Sequence, residues 1–430
     1  MKTARIITVD GLNARFLGAY GNTWVQTPFL DQLASRSIVA EHFLADSFDK
    51  TVLMHRLACH SSPLLGSDSA VEPNLFGFHK TTLITDDEEF ASKFGNLFHS
   101  VDWVQAGKES LEEDHAESQT ETHFERLFSV AALCDSQDDV VERNGLDDAE
   151  SELVWIHSSG MSSCWDAPLE MQEHFKDDSD PPPRPFVSAP YLKLDHDFDP
   201  DQRTEILHAY AAEIRSLDDS LGRYFEALES LPESKFNPPL TLFCGLRGFP
   251  LGEHLHVGIP NESEPIVEVK TSINQTKLCQ ELYCESLHVP FFLATNVVTG
   301  NPIEIEESAS QSYGYRVDGF LQTADIGAIL TNWLESPDNA KLDIKTQPIA
   351  ISTCKEQSRI QTDEWSLILT STQASNPAEQ PGVENGIRRM LFAKPDDRLE
   401  INEVSDLCEE IADELEVSLN TELLTRGLNE

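Results

Sequence analysis

The sequence predicts an α/β protein: a mixed, mostly parallel, doubly wound sheet with helices on both faces, followed by a small C-terminal α+β subdomain. Three observations predict it. Short apolar runs at residues 5–10, 153–157 and 240–244 alternate with helical periodicity, as buried strands and their crossover helices do. A long amphipathic helix occupies about residues 201–231. From about residue 349 the pattern changes to strand-like runs around turns and one last helix, which is the order of an α+β unit. The expected division is 1–345 for the α/β body and 346–430 for the subdomain.

Each element has a local reason. Residues 5–10, Arg-Ile-Ile-Thr-Val-Asp, form a short buried strand ending in the carboxylate of Asp10. Thr27-Pro28 opens a helix, since threonine can cap free amides and proline fits the first helical position. Residues 86–152 are strongly acidic, interrupted by Phe90, Phe94, Phe98 and Trp103, and are expected as helices and loops on the outer face. A strand follows at 153–157, ending in His157, and the proline-rich run 181–185 forms a stiff extended loop. In the long helix, Ile206, Tyr210, Ile214, Leu217, Leu221 and Tyr224 recur at three and four. An apolar strand at 240–244 leads into a loop containing Gly245, Gly248 and Gly252. Residues 290–294 form a strand and 324–334 a helix; 365–370 and 389–393 are strands, and Val404, Leu407, Ile411 and Leu415 mark a terminal amphipathic helix.

Charge narrows the function. The 430 residues carry 31 Lys+Arg against 75 Asp+Glu, a formal net charge of −44. A phosphate backbone needs clustered cations and an anionic membrane surface repels such a chain, so neither nucleic acid nor membrane is an expected partner. Two readings of the acidity stand: solubility in a salty medium, or an acidic docking face for a basic protein. No run approaches the ~18–20 apolar residues of a membrane span, and residues 1–10 show no signal peptide. The 8 cysteines are scattered without a C-x-x-C, Cys279 and Cys284 being the closest pair. Reduced thiols and a cytoplasmic location are expected.

Several segments in order resemble the sulfatases of the alkaline phosphatase superfamily. They are the strand ending at Asp10, then Leu17-Gly18-Ala19-Tyr20-Gly21-Asn22, then residues 27–34; Leu217-Asp218-Asp219-Ser220-Leu221-Gly222-Arg223 in the long helix; Leu251-Gly252-Glu253-His254; and residues 283–290, Tyr-Cys-Glu-Ser-Leu-His-Val-Pro. The resemblance covers most of the chain. It implies the sulfatase fold and, for an active member, a calcium ion held by oxygen ligands from two strand ends. It also implies a formylglycine made from a Cys/Ser-x-Pro-x-Arg motif, and Lys and His residues that neutralise the sulfate.

The chain departs from this pattern at nearly every part. The family's first Asp-Asp pair reads Asp10-Gly11, and its second metal pair aligns with Leu246-Arg247. Val52 and Met54 replace the nucleophile and the proline, and only Arg56 survives of that motif. The segment with the family's Lys and His reads Thr81-Thr82-Leu83-Ile84-Thr85-Asp86-Asp87. A guanidinium about 4 Å from a divalent ion repels it by roughly 8 kcal/mol at an effective dielectric near 20. The expectation is therefore a catalytically degenerate member with no cofactor, calcium being present only if the family site survives the replacements. Such a protein would bind a small anionic ligand or a partner protein, or act as a regulator. The rival is a divergent sulfate- or phosphate-ester hydrolase.

The candidate pocket residues are Val52, Arg56, His157, Arg247 and His254, with Asp10 as a vestigial metal ligand. Each has two readings. Asp10 is a former ligand or a structural carboxylate; Arg56 binds an anion or closes a salt bridge; His157 contacts substrate or sits satisfied in the core. Arg247 pairs with Asp10 and plugs the metal cavity, or points to solvent. His254 and His256 give a weak zinc signal by spacing, and Thr51 is a conceivable alternative nucleophile.

Overall fold

The computed structural model describes residues 2–58, 75–105, 121–137, 151–194, 198–231, 240–259, 282–295, 314–336, 342, 344–372 and 386–426. Cys59, Cys279 and the parts 106–120 and 138–150 of the acidic stretch lie outside the described residues.

The body runs β1 (Lys2–Val9), α1 (Pro28–Ser35), β2 (Ile38–Leu44), α2 (Lys50–Ala58), β3 (Lys80–Thr85), α3 (Glu88–Phe94), β4 (Ser100–Trp103), α4 (His123–Gln137) and β5 (Ser151–Ser158). It continues through α5 (Leu169–Glu173), β6 (Leu192–Lys193), α6 (Pro200–Glu229), β7 (Leu240–Gly245), β8 (His256–Val257), α7 (Cys284–Leu287), β9 (Phe291–Thr295), β10 (Tyr315–Gln322) and α8 (Asp325–Glu335). Eight strands form one sheet in the order β10-β2-β9-β7-β1-β5-β3-β4. All neighbours are parallel except the two pairs made by β9. β1 lies in the middle, and Ile6, Ile7 and Val9 are buried at positions facing both sides, as expected of a strand covered on both faces. The mixed, mostly parallel sheet expected from the sequence is the one found.

The long helix α6 starts at Pro200 behind a cap from Asp199 and buries Tyr210, Ile214, Leu217, Leu221 and Tyr224. It also terminates α1. Asp218 accepts from the backbone N–H groups of Phe29 (3.1 Å) and Leu30 (2.8 Å). The expected cap from Thr27 is not made; its hydroxyl donates to Asp31 instead. A buried carboxylate from a neighbouring helix replaces the local cap because α1 lies against α6.

The acidic stretch is not simply an outer covering. β4 extends the main sheet beside β3, and Phe90 is buried with ring centres 5.7 Å from Trp155 and 4.6 Å from His157. Composition hid this: β4 is exposed along its whole length, so it lacks the apolar run of an inner strand.

The C-terminal part has β11 (Ala350–Cys354), β12 (Gln357–Gln361), β13 (Trp365–Thr372) and β14 (Gly386–Ala393) in one antiparallel sheet, in that order. Helix α9 (Glu409–Thr425) joins Ala412, Leu419 and Leu423 to Ile360, Leu367 and Leu391 of the sheet. The terminal helix starts later than the sequence suggested. Val404 and Leu407 precede it, and Leu407 is 82% exposed. A buried ion cluster ties this sheet to the body. Arg359 reaches Glu400 through Nη2 at 2.7 Å and the Leu282 carbonyl through Nη1 at 2.5 Å, while Glu400 also takes Lys394 Nζ at 2.9 Å and the Cys284 amide at 2.8 Å.

Candidate functional site

The carboxyl ends of the parallel strands converge on Asp10, Asp46, Asp86-Asp87, His157 and Arg247, the place where open α/β sheets build their sites. Asp10 follows β1 and is fully buried. Arg247 follows β7, held by the Leu246 N–H bond to the Val9 carbonyl at 2.9 Å. Its guanidinium grips Asp10 with two parallel bonds, Nε to Oδ1 at 2.9 Å and Nη2 to Oδ2 at 3.0 Å. The third nitrogen, Nη1, donates to the Phe48 carbonyl at 2.8 Å, and the cation lies 5.2 Å from the Phe48 ring centre. This fork-on-carboxylate pairing is the strong geometry for a buried ion pair. Burial opposes the charge on Arg247, but the field and hydrogen bonds of Asp10 raise its pKa further. Leu246 is buried beside it and Val52 is half-buried.

The residues do not fit a calcium ion. Both oxygens of Asp10 are occupied by Arg247. Gly11 has φ +76°, and a Cβ there would stand 3.1 Å from Met161 Cβ and from the Ser162 nitrogen, so an aspartate in the family's second position would be both crowded and strained. Leu246 offers no oxygen ligand on its side chain.

The N-terminus of α2 is closed as well. Asp49 accepts from the amides of Thr51 (2.9 Å) and Val52 (3.2 Å), an internal carboxylate at a helix end that favours negative charge. The Thr51 hydroxyl accepts from Lys93 at 3.0 Å. Lys50 pairs with Asp87 at 2.9 Å. Asp87 lies 3.4 Å from His157 Nε2, whose Nδ1 is 2.8 Å from the Thr8 hydroxyl. That hydroxyl also accepts from Trp155 Nε1 at 3.0 Å, and the Asp87 carboxylate, an acceptor only, takes the N–H at His157 Nε2. Against the cost of burial, His157 and Lys50 hold the Asp87 carboxyl far below the usual carboxylate range.

The other sequence candidates have internal partners too. Arg56 is buried and faces Asp46 at 3.6 Å, which in turn accepts from the Ala324 amide at 2.8 Å. Burial raises Asp46 to about 6. His254 stacks on Tyr283 with ring centres 3.4 Å apart, and bonds Glu285 at 2.5 Å and the Glu400 carbonyl at 2.9 Å. It serves the junction with the C-terminal sheet and not the pocket. His256 packs edge-on against Tyr191.

Sequence reasoning missed a second cluster. His123 begins α4, and its Nδ1 lies 2.8 Å from Asp166 Oδ1 while its amide donates to Oδ2 at 2.9 Å. Glu213 of α6 accepts from the Ala167 amide at 2.7 Å, and burial raises its carboxyl to about 8. The signal was present in Trp165-Asp166-Ala167-Pro168, but His123 sat unmarked in the acidic stretch. Glu213 gives a pH prediction. Its folded pKa lies above the unfolded value near 4.3, so its stabilising contribution is complete below about pH 4.3 and is lost as pH rises through about 8. With EDTA present, Glu213→Gln should fall less steeply in urea midpoint between pH 5 and 8 than the parent. Equal slopes would contradict the assignment.

No protein-family model and no curated protein matches the chain. Solved structures do. A phosphonate monoester hydrolase of Agrobacterium radiobacter superposes with a TM-score of 0.63 at 13% identity, covering 100% of this chain and 96% of the other. A 2-O GAG sulfatase gives a TM-score of 0.60 at 13% identity over 99% and 92% of the two chains. A protein solved with its substrate D-glucosamine-2-N,6-O-disulfate gives 0.59 at 11% over 99% and 98%. The chain thus shares, over 99–100% of its length, the fold of these hydrolase and sulfatase structures.

Proposed function

We propose that this protein is a sulfatase-fold protein without sulfate-ester hydrolase activity and without a resident calcium ion, acting by binding a partner protein. One observation carries the reading: the bidentate Arg247–Asp10 pair occupies the strand-end position where the resemblance places the metal. The substituted nucleophile position, Val52, supports it. A role in holding a small anion has less support. The cations of the site, Arg247, Lys50 and Arg56, each face an internal carboxylate already. The net charge of −44 favours a basic surface on the partner. Among the described residues no helix is long and apolar enough to cross a membrane. Among the described residues Cys134, Cys164, Cys244, Cys284, Cys354 and Cys408 form no disulfide, and a reducing, cytoplasmic setting is part of this reading.

The test joins stability to turnover. Millimolar calcium should leave the melting temperature where an equal ionic strength of sodium chloride leaves it, because an ion that does not bind the native state cannot stabilise it. Aryl sulfate and phosphonate monoester substrates should not turn over above the buffer rate with calcium, magnesium or manganese. A saturable shift at micromolar calcium overturns the reading. Turnover abolished by Thr51→Ala would favour a divergent hydrolase instead.

A further inference from the structure

Beside the closed pocket, one ligand atom each from His123, Cys164 and Asp166 lies within 4.8 Å of the other two. An imidazole, a thiol and a carboxylate together are the donor set of zinc and its neighbours, not of calcium. Donor atoms on a tetrahedral zinc stand about 3.3–3.8 Å apart. The 2.8 Å between His123 Nδ1 and Asp166 Oδ1 is a hydrogen bond, so the two atoms would part by about 0.5 Å or more to take an ion in place of the shared proton. Asp166 is prepared for the task. Its Oδ2 is fixed by the His123 amide at 2.9 Å and faces Arg126 at 3.5 Å, which leaves Oδ1 toward the ring.

Two buried atoms nearby are unexplained by the metal-free arrangement. His123 is 1% exposed and its Nε2 has no hydrogen-bond partner; Glu213 is 2% exposed and its Oε2 has none. A buried polar atom without a partner costs about 1–3 kcal/mol, so such pairs ask for a role. Metal-bound histidines donate their second ring N–H to a carboxylate, which fixes the tautomer. Glu213 packs beside the site, its other oxygen taking the amide of Ala167, next to Asp166, and it is not bonded to Nε2 in the metal-free arrangement. Cys164 and Asp166 are only half-buried, which gives an ion a path from solvent and room for a water as fourth ligand.

We propose that His123, Cys164 and Asp166 form a binding site for a single zinc-class divalent ion, with Glu213 orienting His123. The site is separate from the strand-end position filled by Arg247, so it does not restore sulfatase chemistry.

Cobalt(II) is the probe, added to full-length protein stripped with chelator, because a thiolate–cobalt bond gives a charge-transfer band that oxygen and nitrogen ligands do not. One equivalent should produce that band with tetrahedral d–d absorption, and zinc should displace it. Cys164→Ser should remove the band and weaken zinc binding at least tenfold by calorimetry. Asp166→Asn should weaken it similarly, and Glu213→Gln should weaken it about 10–100-fold while keeping the band. Cys164→Ser changes a half-buried side chain by one atom, and its fold can be checked by circular dichroism. The proposal fails if no band forms, or if Cys164→Ser binds zinc as the parent does, which would place the ion on another thiol. It also fails if binding is weaker than millimolar.

Discussion

Replacing Arg247 by alanine should lower the unfolding free energy by about 3–5 kcal/mol, the usual loss when one partner of a buried ion pair is removed. The magnitude follows from what is left behind. Asp10 is fully buried and its side chain has Arg247 as its charge partner. Without the guanidinium its buried charge loses its bonded cation, the neighbouring Lys50 being held by Asp87 and Glu89, and the Phe48 carbonyl loses a donor as well. Urea midpoints read the effect directly, provided the slope is unchanged. Arg247→Lys should recover only part of the loss, since one ammonium cannot span both carboxylate oxygens and the Phe48 carbonyl. A loss under about 1 kcal/mol would mean that solvent reaches Asp10 and that the pocket is open.

Arg359→Ala should cost a similar amount, about 3–5 kcal/mol, but should act on a different part of the molecule. Arg359 and Glu400 are both 1% exposed, and Arg359 meets both oxygens of Glu400 as well as Gln361 and the Leu282 carbonyl. Its removal leaves Glu400 with Lys394 and the Cys284 amide. Because these contacts join β12 to the segment before α7, amide exchange should accelerate in β11–β14 and α9 before it does in β1 or β5. Uniform acceleration through the whole main sheet would contradict this, and would show that the two sheets unfold as one unit.

Much of the fold was legible. The strands that end at Asp10, His157 and Gly245 are buried on both faces, so each reads as an apolar run. The helix over Pro200–Glu229 was legible for its periodicity. What escaped were elements whose sequence does not reflect their burial. β4 is an exposed edge strand. The cap on α1 comes from Asp218, 189 positions away from Phe29, and no local pattern announces a partner so distant.

The site divides in the same way. The pairing of Arg247 with Asp10 was legible because both lie at strand ends whose order the resemblance supplied, and both its bonds are present. Arg56 closes a salt bridge, one of the two readings its sequence allowed, and His254 lies at the junction with the C-terminal part. An arginine on a helix can turn to either side, and Asp46 at the end of β2 supplied the nearer charge. His254 was drawn away by Glu285 and by the Glu400 backbone, a contact with the C-terminal sheet that spacing cannot reveal. The His123 cluster depends on α4 meeting the loop after β5, a tertiary event with no trace in either segment alone.

The account rests on Arg247 being the cation that Asp10 requires, and a double-mutant cycle measures that most directly. Unfolding free energies of the parent, Arg247→Ala, Asp10→Asn and the double variant give the coupling between the two side chains. The account predicts a coupling of about 2 kcal/mol or more, with the double variant more stable than Arg247→Ala alone. Losses that add to within about 0.5 kcal/mol would contradict it, because two groups that do not depend on each other cannot be a plug and its socket.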